Sequence, residues 1–281
     1  MKRRTFLSIL AAATATAATP GILHAAQCFS YSSGSVDDTA LGDYLQKMRR
    51  FDRCHPGDVF LDPRDMPLLH TSLQRLRRLE RTVGHGNFYL LGFDDALKIA
   101  KNYVSVGAFE AEEIVFMERL FYEDGRQYGF LGEKPLKSLT DRVRMDRVVK
   151  IPHSGNYLYQ GRPVRLLRRI CREVGEEAVL TSGIRSVIKQ FILFLNKTRK
   201  TDGNLSQASR SLAPPGYSFH GVGDFDVGQR GYGAANFTER FTETRVFNKL
   251  KRLGYLRLRY RRGNLLGVRF EPWHIKVNDI S

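Results

Sequence analysis

Two short segments near the C-terminal end constrain the fold of this chain most. Residues 218–226 contain one His and two Asp, and residues 271–274 contain one Glu and one His. A catalytic zinc site needs about three protein ligands from His and carboxylate, one open position, and a separate general base. The two segments supply that set only if the fold brings them together. A lone His is more often a hydrogen-bonded imidazole of the core or the surface, so it is the pairing of the segments that points to a metal.

The composition is that of an ordinary globular protein. Of 281 residues, 42% are hydrophobic and 26% are charged, which excludes collagen-like, coiled-coil and fully disordered chains. Lys and Arg total 45 against 29 Asp and Glu, for a formal charge of +16, and such an excess suggests an acidic partner. Three Cys exclude a disulfide scaffold and a four-cysteine zinc site. Cys28 and Cys54 are candidates for one disulfide in an oxidising compartment.

The first 26 residues have the pattern of an export signal. A basic start is followed by an apolar run over residues 6–18, too short to span a bilayer, and then by Pro20 and small residues suited to cleavage. Residues 3–7 (Arg-Arg-Thr-Phe-Leu) favour the twin-arginine type over an ordinary secretory signal. Gln27 before Cys28 does not favour a lipid anchor. No other segment is long and apolar enough to span a membrane, so we expect a protein of the periplasm or cell envelope, without a nucleic-acid partner.

The rest of the chain divides into a linker and two halves of different character. Residues 27–40 are rich in Ser, Gly, Thr and Asp and predict a loose linker. Apolar residues recur at helical spacing over 41–149, which predicts a helical accessory domain without a chemical motif.

Residues 150–281 mix helical and strand patterns without a steady βαβ rhythm, which predicts an α+β domain with an antiparallel sheet and flanking helices. Within it, the alternation over 256–260 and the Gly-Asn pair at 263–264 predict a strand and a hairpin turn into a second strand over 265–270.

Three motifs in this second half resemble one family. Residues 182–186 (Ser-Gly-Ile-Arg-Ser) with Gln190, residues 215–220 (Pro-Gly-Tyr-Ser-Phe-His) and residues 271–274 (Glu-Pro-Trp-His) occur in the order found in zinc peptidases. In these motifs, residues 150–281 resemble the D-Ala-D-Ala carboxypeptidase family, which includes the VanY-type and VanX-type enzymes. The resemblance covers a little under half of the chain and leaves the helical half outside it.

The resemblance implies a role for each matching residue. His220, Asp226 and His274 would be zinc ligands, and Glu271 would be the general base and acid. The implied substrate pocket consists of Arg185, which would hold the substrate carboxylate, together with Ser182, Gln190 and Ser218. An Arg suits a terminal carboxylate because its planar fork binds both oxygens.

One departure from the family leaves the carboxylate ligand open between two residues. The family places its Asp seven residues after the first His. Here Asp226 lies six residues after His220, and Asp224 lies four residues after it. In an extended segment both carboxylates would face the same side. Asp226 is favoured because Asp226-Val227-Gly228 matches the close of the family motif, and Asp224 would then orient a ligand His or meet a substrate amine.

The resemblance implies a zinc peptidase that acts on peptidoglycan peptides and trims a terminal D-alanine, and the N-terminal pattern implies that it is exported. One alternative is an endopeptidase with the same site, and another is a cell-wall-binding module that does not catalyse. A non-ligand carboxylate such as Glu271 has no use in a purely structural zinc site and disfavours the module. Two arginine clusters, over residues 75–81 and 165–172, are expected to be solvated faces or contacts to an anionic wall polymer.

Overall fold

The computed structural model describes residues 38–277, so the predicted export signal, most of the linker and Cys28 lie outside the described residues. Within them, Cys54 and Cys171 are free thiols. None of the helices in this part of the chain has the length and apolar character needed to cross a bilayer.

Helices dominate the first half, and helices and short strands share the second. The α-helices are α1 (Asp38–Arg49), α2 (Met66–Val83), α3 (His85–Phe88), α4 (Phe93–Asn102), α5 (Ala111–Tyr122), α6 (Arg162–Val174), α7 (Val187–Lys200), α8 (Leu205–Ser209) and α9 (Arg245–Arg252). The strands are β1 (Val148–Lys150), β2 (Tyr157–Tyr159), β3 (Ala178–Ser182), β4 (Phe225–Gln229) and β5 (His274–Ile275). Single 3₁₀ turns lie at Pro63–Asp65, Gly125–Tyr128, Met145–Arg147, Phe219–Gly221, Gly233–Phe237 and Glu239–Glu243.

The central sheet is antiparallel, with strand order β3-β4-β5, and β1 and β2 form a separate antiparallel pair. In the central sheet Asp226 lies opposite Ser182 on one side and opposite His274 on the other. The α+β prediction, with an antiparallel sheet and flanking helices after a mostly helical region, is therefore confirmed.

Two main apolar clusters hold the fold together. One joins β3, β4 and β5 to α6 and α9. The other contains α2, α4, α5 and α7, so α7 packs its apolar side chains against helices of the first half. Leu69, Leu73, Leu76 and Leu79 form the buried stripe of α2 at the spacing the sequence predicted.

The junction between β3 and α7 is fixed by capping. The Ser186 hydroxyl accepts a hydrogen bond from the Lys189 amide and so satisfies one of the unpaired N–H groups at the start of α7. The Ser186 amide in turn donates to the Tyr89 carbonyl at 2.9 Å. Arg185, which directly precedes this cap, is thereby held at a defined point between strand and helix.

The predicted hairpin over residues 256–270 is wrong. This stretch contains no regular strand, and only Leu258 forms an isolated bridge, to Ile275. The Arg259 side chain turns inward to Asp224 instead of outward to solvent. The Asn264 amide donates to the Arg261 and Val268 carbonyls and closes a compact loop. Local side-chain bonds of this kind compete with ladder formation.

The two arginine clusters differ in their surroundings. On α2, the guanidinium of Arg75 pairs with Glu113 at 2.8 Å, Arg77 donates to Asn196, and Arg78 donates to the Val106 carbonyl. These three side chains tie α2 to its neighbours and are not a solvated face. The α6 arginines at positions 165, 168, 169 and 172 are exposed.

Phe191→Ala should destabilise the whole chain, because Phe191 is fully buried where α7 meets the first half and lies 6.3 Å from the Phe93 ring. We expect a loss of about 3–5 kcal/mol in the free energy of unfolding, measured by urea denaturation. Val104→Ala, at a side chain that is 99% exposed, is the control and should change it by less than about 0.5 kcal/mol. A loss from Phe191→Ala no larger than that of the control would contradict the shared core.

Candidate metal centre

Three buried side chains converge on the central sheet. His220 comes from the turn Phe219–Gly221, Asp226 from β4 and His274 from β5, and one ligand atom of each lies within 4.8 Å of the others. Asp226 Oδ1 is 3.2 Å from His220 Nε2 and 3.4 Å from His274 Nδ1. The cross-strand pairing of Asp226 with His274 brings the two motif segments together.

Hydrogen bonds on the far side of each imidazole set which nitrogen faces the centre. His220 Nδ1 lies 2.7 Å from the Gly183 carbonyl, an acceptor only, so Nδ1 carries the proton and Nε2 faces Asp226. His274 Nε2 lies 3.1 Å from Asp224 Oδ2, which leaves Nδ1 toward Asp226 and Glu271. Such outer partners fix the tautomer and orientation of metal-binding imidazoles.

Asp224 lies behind His274 and not among the converging atoms. Its Oδ1 accepts from the Val277 amide at 2.9 Å, and its Oδ2 accepts from His274 and from Arg259. Burial raises the pKa of Asp224, but these hydrogen bonds outweigh it and lower the pKa to about 2. Both oxygens are thus committed to orienting neighbours, which is the second role the sequence offered for this residue.

Two of the converging atoms have no hydrogen-bond partner among the described residues. They are His220 Nε2 and Asp226 Oδ1, and both are buried. Unpartnered buried polar atoms are rare in folded proteins, and an ion is one of the groups that satisfies them. Two imidazole nitrogens and one carboxylate oxygen are a donor set that zinc uses in catalytic sites. The residues therefore fit a zinc ion.

The charges around the centre favour the metal-binding protonation states of His220 and Asp226. Burial, reinforced by the nearby Arg185, lowers the pKa of His220 to about 4, so its imidazole is neutral. For Asp226, burial is outweighed by His220 and Arg185, which hold the pKa of this carboxyl well below its usual range. Against the effect of burial, the hydrogen bond to Asp224 raises the pKa of His274 and makes it a more basic ligand.

Glu271 lies beside the three converging residues without being one of them. Its Oε2 is 3.6 Å from His274 Nδ1, and the side chain is mostly buried. Burial raises its pKa, opposed by His274 and Arg269. The Glu271 amide donates to the Tyr260 carbonyl at 3.0 Å, which fixes the backbone on which the carboxylate is carried.

Arg185 is tied directly to this centre. Its Nη2 donates to Asp226 Oδ2 at 2.8 Å, and its Nε donates to the Ser182 hydroxyl at 2.9 Å. The guanidinium therefore neutralises a buried carboxylate and orients it. Two of its three nitrogens are used within the protein, and Nη1 has no hydrogen bond to a described residue.

Gln190 and Ser218 line the same small cavity but differ in their hydrogen bonds. The Gln190 side chain donates to the Arg185 carbonyl at 3.0 Å and accepts from the Gly216 amide at 2.8 Å, so its amide joins the two motif loops. The Ser218 hydroxyl has no hydrogen bond to a described residue, and it faces a small cavity of about 30 Å³ that Gln190 and Arg185 also line. Whether either residue meets substrate stays a prediction.

The structure adds residues that the sequence did not single out. Tyr260 stacks edge-on against His274, with ring centroids 5.2 Å apart, and burial raises the pKa of its hydroxyl. Arg259 reaches Asp224, and Arg269 lines a larger cavity of about 390 Å³ next to the centre. Nothing distinguishes these arginines among 45 basic residues in the sequence, because only the fold shows which side chains turn inward.

Comparison with known proteins agrees with the motifs. Residues 162–278 match the family model of VanY, D-alanyl-D-alanine carboxypeptidase. No curated protein matches the chain. A solved structure of the LdcB LD-carboxypeptidase, described for its peptidoglycan recognition, is similar to 46% of this chain, with 21% identity and a TM-score of 0.38. The similar region spans 62% of that protein's chain, less than two thirds of it.

Gln190→Ala should loosen the site, because it leaves the Gly216 amide and the Arg185 carbonyl without their side-chain partners. We expect a loss of about 1–3 kcal/mol in the free energy of unfolding, measured by chemical denaturation. Ser218→Ala, which removes a hydroxyl without a described hydrogen bond, is the matched control and should cost less. Equal effects of the two changes would show that the Gln190 bridge does not stabilise the loops.

Proposed function

We propose that this chain is an exported, zinc-dependent peptidase that hydrolyses peptidoglycan peptides as a D-alanyl-D-alanine carboxypeptidase. The observation that carries the proposal is the convergence of His220 Nε2, Asp226 Oδ1 and His274 Nδ1 beside a carboxylate that is not one of them, Glu271. A structural zinc site is normally closed by four protein ligands, whereas a catalytic one has three and an open position.

His220, Asp226 and His274 would hold the zinc. When bound at such a site, zinc polarises a carbonyl and lowers the pKa of a bound water to about 7. The protein's part is to keep the three donors oriented. The Gly183 carbonyl holds His220, Asp224 holds His274, and Arg185 holds Asp226.

Glu271 is the proposed proton carrier. A carboxylate next to the reacting groups can take a proton from the attacking water and later give it to the leaving amine. Its burial raises its pKa, which brings the group closer to neutral pH and favours both steps. The bond from the Glu271 amide to the Tyr260 carbonyl keeps this carboxylate beside His274.

Arg185 has two proposed tasks. It neutralises Asp226, and its remaining nitrogen would bind the carboxylate at the end of the substrate, which favours removal of a terminal residue. An endopeptidase acting on cross-links is the second candidate, supported by the adjoining cavity of about 390 Å³, which leaves room for more of a peptide. A non-catalytic wall-binding module is disfavoured because it has no use for Glu271.

The remaining assignments concern location and organisation. Residues 1–26 would export the chain to the periplasm or cell envelope, where peptidoglycan lies, and residues 27–40 would form a linker. Removing the signal takes away Lys2, Arg3 and Arg4, so the formal charge of the mature chain falls by three, from +16 to +13. The exposed arginines of α6 would contact anionic wall polymer. Residues 41–149 would support the peptidase domain at 150–281 through the core they share with α7.

Zinc binding should distinguish the two aspartates. Asp226→Ala should abolish it, because Oδ1 of Asp226 is one of the three converging donors. Asp224→Ala should keep zinc while weakening activity, because Asp224 only orients His274. Zinc titration with elemental analysis of both purified variants measures this. The reverse ranking would move the ligand to Asp224, and wild-type protein that takes up no zinc would refute the peptidase.

Glu271→Gln should retain zinc and fold but lose nearly all hydrolysis, because an amide cannot accept the proton from water. General-base losses are about 10²–10⁴-fold. The assay incubates zinc-loaded protein with a muropeptide pentapeptide and identifies the products by mass spectrometry. Loss of zinc from this variant would instead make Glu271 a ligand.

Blocking the end of the substrate should separate the two peptidase candidates. If Arg185 binds the terminal carboxylate, amidation of the pentapeptide should slow cleavage about 10- to 100-fold, the worth of one charge-assisted hydrogen bond. Mass spectrometry of the products from free and amidated peptide gives the ratio. Equal cleavage of the two would favour the endopeptidase.

A further inference from the structure

A cavity of about 390 Å³ adjoins the metal centre, and its charged lining is unusual. Arg185, Lys189 and Arg269 contribute three cations to the wall, against the two carboxylates of Asp226 and Glu271. Cavities of roughly 300–1,000 Å³ are typical of ligand sites, in which a few placed polar groups fix the ligand's orientation. Only a cation that is not already paired within the protein is available to bind an anionic ligand.

Two of the three cations are neutralised within the protein. Arg185 Nη2 lies 2.8 Å from Asp226 Oδ2, and Lys189 Nζ lies 2.8 Å from Glu80 Oε1 on α2. Lys189 also lies over the Tyr89 ring at 4.5 Å. Both side chains are therefore held by groups of the protein itself.

Arg269 differs from both. Its Nη2 donates to the Phe237 carbonyl at 3.1 Å, whereas its Nε is buried and has no hydrogen-bond partner among the described residues. No described carboxylate lies within ion-pair distance of its guanidinium. A buried polar group without a partner costs free energy, so this arrangement favours an anion brought by a ligand.

The guanidinium of Arg269 is also held in place before any ligand arrives. It lies 4.6 Å from the centre of the Phe51 ring and 4.8 Å from that of the Trp273 ring. Contact with two aromatic faces fixes the plane of the group and lowers the entropy lost when it binds an anion. Trp273 stands between Glu271 and His274 in the chain, so the position of Arg269 is coupled to the centre.

We propose that Arg269 is the anchor of a second anion subsite, which binds a carboxylate of the substrate other than the one at its C-terminus. The ligand class is an acidic peptide with an internal carboxylate. The peptide nature of the ligand rests on the proposed function, whereas the anion subsite does not. Phe51 brings the first half of the chain into substrate recognition.

The test compares the binding of two peptides that end in D-Ala-D-Ala and differ in one internal residue, which is Glu in one peptide and Gln in the other. Two such pairs are used: the varied residue stands two positions before the D-Ala-D-Ala end in the first pair and three positions before it in the second. Affinities are measured by calorimetry on the zinc-loaded full chain. Wild type should bind the Glu peptide about 10- to 100-fold more tightly in one of the two placements, the worth of a charge-assisted hydrogen bond. Arg269→Gln should remove this preference, so that the variant binds the Glu and Gln peptides with the same affinity.

Arg262→Gln is the matched control. It removes the same charge from the same segment, but Arg262 is 64% exposed and paired with Glu239, so the preference should persist. The subsite is refuted if wild type does not discriminate, if Arg269→Gln weakens both peptides equally, or if Arg262→Gln has as large an effect. Should Arg269→Gln fail to fold, the wild-type ratio still decides, and Arg269→Lys, which keeps the charge without Nε, should reduce the preference.

Binding and hydrolysis are scored separately in the same samples. Discrimination in binding without cleavage leaves the subsite standing and refutes the peptidase. Cleavage without discrimination supports the peptidase and refutes the subsite.

Discussion

The position of β4 between β3 and β5 is the constraint on which the rest of the site depends. It sets Asp226 opposite Ser182 and His274, and thus brings together two motifs that are far apart in the chain. A slip of one residue would turn Asp226 to the other face of the sheet. The apolar residues Phe225 and Val227, both fully buried on the opposite face, prevent that slip.

The two buried aspartates of the site each need a positively charged partner. Asp226 and Asp224 are nearly inaccessible, and each is met by an arginine, Arg185 for one and Arg259 for the other. Isolated buried charges are costly, whereas paired and hydrogen-bonded ones are tolerated. The same pairs orient His274 and the Asp226 carboxylate, so the groups that stabilise the buried charges also fix the geometry of the site.

The spacing between His220 and Asp226 is one residue shorter than in the family, and the local backbone accommodates this. The turn Phe219–Gly221 is followed by Gly223 at φ +122°, a conformation that favours glycine, and β4 begins two residues later. The shorter connection therefore still delivers Asp226 to the centre. Asp224, just after the turn, faces the opposite nitrogen of His274.

The sequence by itself determined three features of this protein. They are the helices of residues 41–149 through their periodicity, the α+β class, and the residues of the three motifs with their chemical types. Those features are written in local order along the chain. Only the tertiary structure decided which aspartate faces the centre, because both lie on one short segment and differ in what packs behind them. It also replaced the predicted hairpin by a loop and turned Arg259 and Arg269 inward, since the direction of a side chain depends on partners supplied by distant parts of the chain.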